Sequence, residues 1–84
     1  MSVDQLKTLR VDKVVDARAM PCPGPLLEAK KAMSVVPMDG ILEVLSSDIG
    51  TTVDIPAWAL KVGHQYLGMI TEPESWRLFV RRGK

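Results

Sequence analysis

The sequence predicts an α/β (α+β) two-layer sandwich, βαβαββ in order, with two helices packed on one face of a four-stranded mixed sheet. Three observations carry that expectation. Apolar residues recur at helical spacing in two segments, Leu26/Ala29/Met33/Val36 and Ile55/Trp58/Ala59/Val62. Short strand-like runs stand around Val14–Asp16, at Ile41–Ser46, and at Gln65–Glu72 and Ser75–Arg82. The chain has 84 residues, 46% hydrophobic and 25% charged, which suits one ordinary domain spanning 1–84 and is too rich in apolar residues for disorder.

Each element follows from local chemistry. Residues 1–10 carry scattered charges of both signs and are expected to form a loose N-terminal arm. Val14 and Val15, ending at Asp16, form a short strand. The proline-dense stretch 17–25 is a turn that leads into a helix from about Pro23 to Val36, stopped by Pro37 and Gly40. Ile41–Ser46 is the second strand. The start of the second helix has two readings. Thr51 with Asp54 resembles a capping box with Asp for Glu, whereas Pro56 fits a first turn and favours Asp54 as the cap. Gly63 ends that helix. The last two runs form a hairpin with Pro73 in the link, and Trp76, Leu78 and Val80 alternate with Arg77, Phe79 and Arg81.

Composition narrows the function. Eleven Lys and Arg against ten Asp and Glu leave a net charge of +1, so bulk attraction to nucleic acid or anionic membrane is excluded as the main activity. No uncharged run exceeds ten residues, whereas a membrane-spanning helix needs about 20 apolar ones. The N-terminus does not read as a secretory signal, and a cytoplasmic location is the default. Cys22 is the single cysteine, so no internal disulfide is available. With only His64 beside it, a four-ligand zinc site is not expected.

The informative segment is Pro21-Cys22-Pro23-Gly24-Pro25. Its expected geometry puts Cys22 at a helix N-cap, Pro23 at N1 and Pro25 at N3, with the Gly24 amide left to meet a sulfur anion. The helix start behaves as roughly half a positive charge, worth about 0.3–1 kcal/mol to an exposed anion. That lowers a thiol pKa by less than about one unit, from about 8.5 towards 8. Arg18 adds a positive charge if the turn folds back. A lone cysteine in a small domain is commonly an inert core residue. Framing by prolines at a helix start reverses that reading. No Ser, His, Asp or Glu nearby serves as a dedicated base, which suits a thiol that carries a group over one that hydrolyses a substrate.

Asp16 to Leu27, followed by Lys30-Lys31-Ala32-Met33, resembles the D-x-x-G-L-x-C-P-x-P-L-L…K-K-A-L signature of the TusA/SirA family of small sulfur carrier proteins. Ser47-Asp48 and Thr51-Thr52-Val53-Asp54-Ile55-Pro56-Ala57-Trp58 resemble that family's D-x-x-T-x-x-D-I-P-x-W segment. The likeness covers about residues 12–83. Ala19-Met20 stand where the family has Gly-Leu, and alanine disfavours a left-handed backbone. The resemblance implies a cysteine, Cys22, that accepts sulfane sulfur as a covalent persulfide and needs no other cofactor. It implies a cysteine desulfurase or rhodanese-like donor and a downstream acceptor protein serving tRNA thiolation, molybdenum cofactor assembly or sulfur oxidation. Persulfide transfer is nucleophilic exchange at sulfur.

Other residues have plainer readings. Asp54 is read as a helix cap, Asp48 as a turn residue, and Trp58 and Met33 as core. His64 follows a helix end, where its cation is mildly favoured. Arg81, Arg82 and Lys84 are a solvated basic tail. Two rival functions stand beside the carrier. One is a non-covalent RNA-binding or regulatory module with Arg77 and Arg81 on an open sheet face; near-zero charge and few aromatics weigh against it. The other is an accessory domain docked on a larger enzyme, its cysteine incidental.

Overall fold

The computed structural model describes residues 2–21 and 23–84. The elements are α1 (Val3–Lys7), β1 (Lys13–Asp16), α2 (Gly24–Met33), β2 (Ile41–Ser46), α3 (Thr51–Val62), β3 (Gln65–Thr71) and β4 (Trp76–Arg81). The sheet runs β1-β2-β4-β3. β1 and β2 are parallel, with Val15 opposite Val44. β4 is antiparallel to both of its neighbours. The predicted two-layer mixed sandwich is therefore the observed fold.

Alternation along the strands sorts side chains onto two faces. Leu42, Val44, Leu78 and Val80 meet Ala29, Ala32, Met33 and Val36 from the α2 segment and Ile55, Trp58 and Ala59 from α3. Trp58 and Met33 are core residues, as their helical spacing indicates. The opposite face is not open. Ile41, Leu67, Ile70 and Phe79 form a second cluster with Leu6, and Leu9 and Val11 pack against it.

The N-terminal arm thus departs from expectation. Val3–Lys7 is helical, opened by a capping box in which the Ser2 hydroxyl accepts from the Gln5 amide and the Gln5 side chain accepts from the Ser2 amide. Leu6 is only 2% exposed. So short a helix is not stable on propensity alone; burial of Leu6 on the sheet holds it.

Both long helices are framed differently from the sequence expectation. Regular α2 ends at Met33, and the chain winds on to Val36 through tighter bonds from Val35 to Ala32 and from Val36 to Met33. Pro37 restricts the residue before it, and the winding stops there. α3 begins at Thr51, not after Asp54, and Gly50 is its N-cap. The Thr51 hydroxyl does not form a capping box; it accepts from the buried Ser46 hydroxyl at 2.8 Å. Asp48 Oδ1 accepts from the Gly50 amide at 2.7 Å, as a turn residue should. Asp54 therefore lies inside the helix, and so does Pro56.

Gly63 ends α3 at φ 89°. The tail returns against this end: a Cβ on Gly83 would collide with the Gly63 carbonyl oxygen. The Gly83 amide donates to His64 Nδ1 at 3.0 Å, and the His64 ring meets the Trp58 ring edge-on. Partial burial, with the cations of Arg82 and Lys84, pushes His64 below its ordinary pKa. The expected helix-end preference for its cation is overturned, first by burial and then by the charges of the tail.

Candidate functional site

The C-terminal ends of β1 and β2 lie side by side, and each leads into a helix on the same face. Two loops consequently meet there, one carrying residues 17–23 and the other residues 47–50. Ala19, Met20 and Pro21 from the first line a shallow depression with Ser47, Asp48 and Ile49 from the second.

The first loop opens with a tight turn. Ala17 is fully buried, and its amide donates to the Leu45 carbonyl at 2.8 Å. The Met20 amide closes back on the Ala17 carbonyl at 3.2 Å. Between them Ala19 has φ 70°. A four-residue turn with positive φ only at its third position is type II, which ordinarily uses glycine there. The left-handed backbone is therefore present in spite of the alanine. The Ala19 amide, unused by the turn itself, donates to Ser47 Oγ at 2.9 Å.

Cys22 lies outside the described residues, and its predicted N-cap position with it. The residues around it are placed. Pro23 is the N-cap rather than N1, which makes Gly24 N1 and Pro25 N2. The Gly24 amide is not left for a sulfur anion; it donates to the Pro21 carbonyl at 2.8 Å. The Pro23 carbonyl accepts from the Leu27 amide at 3.0 Å and starts the helical ladder. Pro25 is buried and anchors the first turn. Pro21 and Pro23 are exposed, and Met20 and Leu27 present apolar surface to solvent. The prolines thus act through shape: they fix the entry into α2 on both sides of position 22.

Arg18 is committed elsewhere. Its guanidinium grips Asp16 through two bonds of 2.9 and 2.7 Å. That hydrogen bonding, joined by one from the Arg18 amide, pulls the Asp16 carboxyl down to about 2. Arg18 is itself pushed above its ordinary pKa, chiefly by Asp16 and slightly by Glu72. Its charge is largely offset before it can act on a neighbouring anion. Among the described residues, no group of three His, Cys, Asp or Glu could hold a metal ion. No helix there is long and apolar enough to cross a membrane.

The rival RNA face is also engaged. Arg77 binds Glu43 at 2.8 Å, with Glu43 only 6% exposed, and lies over the Phe79 ring. Arg81 donates to Gln65.

The family described as Sulfurtransferase TusA matches residues 13–82, which includes both loops and every strand. The chain belongs to the TusA family. A relative from Archaeoglobus fulgidus, named "Putative sulfur carrier protein", is 44% identical over 71 residues, covering 84% of this chain and 97% of its own. The sulfur carrier protein TusA of Pseudomonas syringae is 28% identical over 79 residues, 94% of each chain. The crystal structure of a SirA-like protein from Desulfitobacterium hafniense superposes with a TM-score of 0.74 at 22% identity, over 86% of this chain and 99% of that one. It shares the fold.

Sequence reasoning placed the loop but missed Ser47. The signal was available: Ser46-Ser47-Asp48 is a polar cluster directly after an apolar strand, and such residues bind nearby backbone groups.

Proposed function

We propose that this protein is a sulfur carrier that accepts sulfane sulfur on Cys22 and hands it to an acceptor protein. The observation that carries this reading is the Pro21-Cys22-Pro23-Gly24-Pro25 segment entering α2, its flanking prolines exposed, inside a fold that belongs to the TusA family.

The chemistry balances without a second cysteine. The Cys22 thiolate attacks the outer sulfur of a donor persulfide. A new S–S bond forms to Cys22, the donor's S–S bond breaks, and the donor leaves as its thiolate. Sulfur is transferred with no net oxidation. An acceptor thiolate then attacks the outer sulfur of Cys22-S-SH and releases Cys22 as a thiolate. A cysteine desulfurase or a rhodanese-like enzyme has the required donor chemistry. Acceptors in tRNA thiolation, molybdenum cofactor assembly or sulfur oxidation would take the same cargo.

The test is intact-mass spectrometry after incubation with a cysteine desulfurase and cysteine. The expected result is a gain of one sulfur atom, removed by reductant and lost in Cys22→Ser. No gain on the wild type, or an equal gain on Cys22→Ser, overturns the reading.

A further inference from the structure

We propose that Ser47 is a positioning residue for sulfur transfer, acting through Ala19 on the segment that enters Cys22. The inference rests on the carrier role of Cys22.

Its basis is a backbone conformation that this sequence is poorly suited to adopt. Ala19 is left-handed at φ 70°, a region that a Cβ disfavours and that glycine enters freely. Something must offset that disfavour. The turn's own closing bond, from the Met20 amide to the Ala17 carbonyl, is long at 3.2 Å. The better bond is external: Ser47 Oγ takes the Ala19 amide at 2.9 Å. Ser47 can do this because the residues on either side of it are fixed. Ser46 is fully buried and donates to Thr51, and Asp48 is tied to the Gly50 amide. The hydroxyl is thus held on a rigid loop and reaches across to the neighbouring one.

The consequence runs along the chain. Met20 and Pro21 follow directly, and both line the depression shared with Ser47, Asp48 and Ile49. Displacing the left-handed turn redirects both, immediately before Cys22 in the sequence. Exchange at sulfur needs an aligned approach, so loss of alignment slows the transfer step even when the partner still docks. Ser47 is therefore expected to influence the rate of loading and not the affinity for the donor.

The experiment measures loading of Cys22 by a cysteine desulfurase with cysteine across donor concentrations, with Ala19 amide exchange followed by NMR. Ser47→Ala should lower the saturating rate roughly fivefold, the effect of one ordinary net hydrogen bond, with the half-saturating donor concentration unchanged. Ser47→Thr keeps the hydroxyl and should load close to wild type. Adding Ala19→Gly to Ser47→Ala should restore the rate, because glycine holds the turn unaided; a simple loss of stability elsewhere would not be rescued this way. Wild-type loading with an unaffected Ser47→Ala, no rescue by Ala19→Gly, or an Ala19 amide that exchanges equally fast with and without the hydroxyl each overturns the positioning role. A wild type that fails to load overturns the carrier reading itself and the positioning role with it.

Discussion

Ala19→Gly should stabilise the protein. Ala19 sits at φ 70° at the third position of the turn Ala17–Met20. A left-handed backbone costs a residue with a Cβ about 1–2 kcal/mol. Glycine removes that cost but adds freedom to the unfolded chain, worth roughly 0.5–1 kcal/mol in the opposite sense. The balance is a gain of about 0.5–1 kcal/mol. For a domain of this size, about 1 kcal/mol moves Tm by roughly 4–8 °C, so the variant should melt about 2–8 °C higher. Thermal and urea unfolding followed by circular dichroism measure the change. Asp39 is the internal comparison: it is also left-handed, at φ 63°, but an Asp side chain tolerates that region, so Asp39→Gly should gain less. An Ala19→Gly protein that melts at or below the wild-type temperature would refute the turn assignment. So would an unaffected Ala19→Val, since a β-branched residue belongs there least.

Leu6→Ala should cost about 2–3 kcal/mol in urea unfolding, because a side chain 2% exposed leaves a cavity on the second sheet face; a loose arm would lose almost nothing. Glu43→Gln should cost about 1–2 kcal/mol, less than a fully buried pair because Arg77 keeps 29% of its side-chain exposure; no change on unfolding at neutral pH would mean the pair contributes nothing. His64 is held below its ordinary value in the folded protein. The unfolded chain therefore takes up its proton first, and the stabilisation is complete above about pH 6.5 and declines as pH falls below it. Urea unfolding between pH 5 and 7.5 checks this, with a flatter profile expected for His64→Gln.

Periodicity made the sandwich legible because the main core is built from local patterns. Leu26, Ala29 and Met33 form a stripe within one helix, and Trp76, Leu78 and Val80 alternate within one strand. The second face was not legible for the opposite reason. Leu6, Leu9 and Val11 are isolated apolar residues in a charged segment, and the partners Ile41, Leu67, Ile70 and Phe79 lie far along the chain. Local rules failed where distant groups competed. Asp54 and Pro56 favoured a later helix start, but the buried Ser46 hydroxyl claims Thr51 and brings the start forward. The His64 cation was favoured by its helix end, but burial there, and after it the charges of Arg82 and Lys84, disfavour it. At the candidate site the proline framing was readable. The Gly24 amide was not, since its bond to Pro21 depends on how the turn closes.

Topology explains why the site forms where it does and predicts where it can be disturbed. β1 and β2 are parallel neighbours with Asp16 opposite Leu45, so the loops that leave them emerge at one end of the sheet whatever their side chains. Ligand-handling loops of open parallel sheets gather at such strand ends. The cost of a left-handed alanine at position 19 can then be offset from the adjoining loop, and Ser47 is the group that reaches it. The tail occupies the other end. β4 ends at Arg81 opposite Ile41, where β2 begins, and Gly83 lies against the close of α3. Gly83→Ala would drive its Cβ into the Gly63 carbonyl and lift the tail from His64. The His64 titration midpoint should therefore rise towards its ordinary value by NMR, while the rate of Cys22 loading stays at the wild-type level. A slowed loading in that variant would mean that the two ends of the sheet are coupled, and the reaction would then depend on the whole fold and not on two adjoining loops.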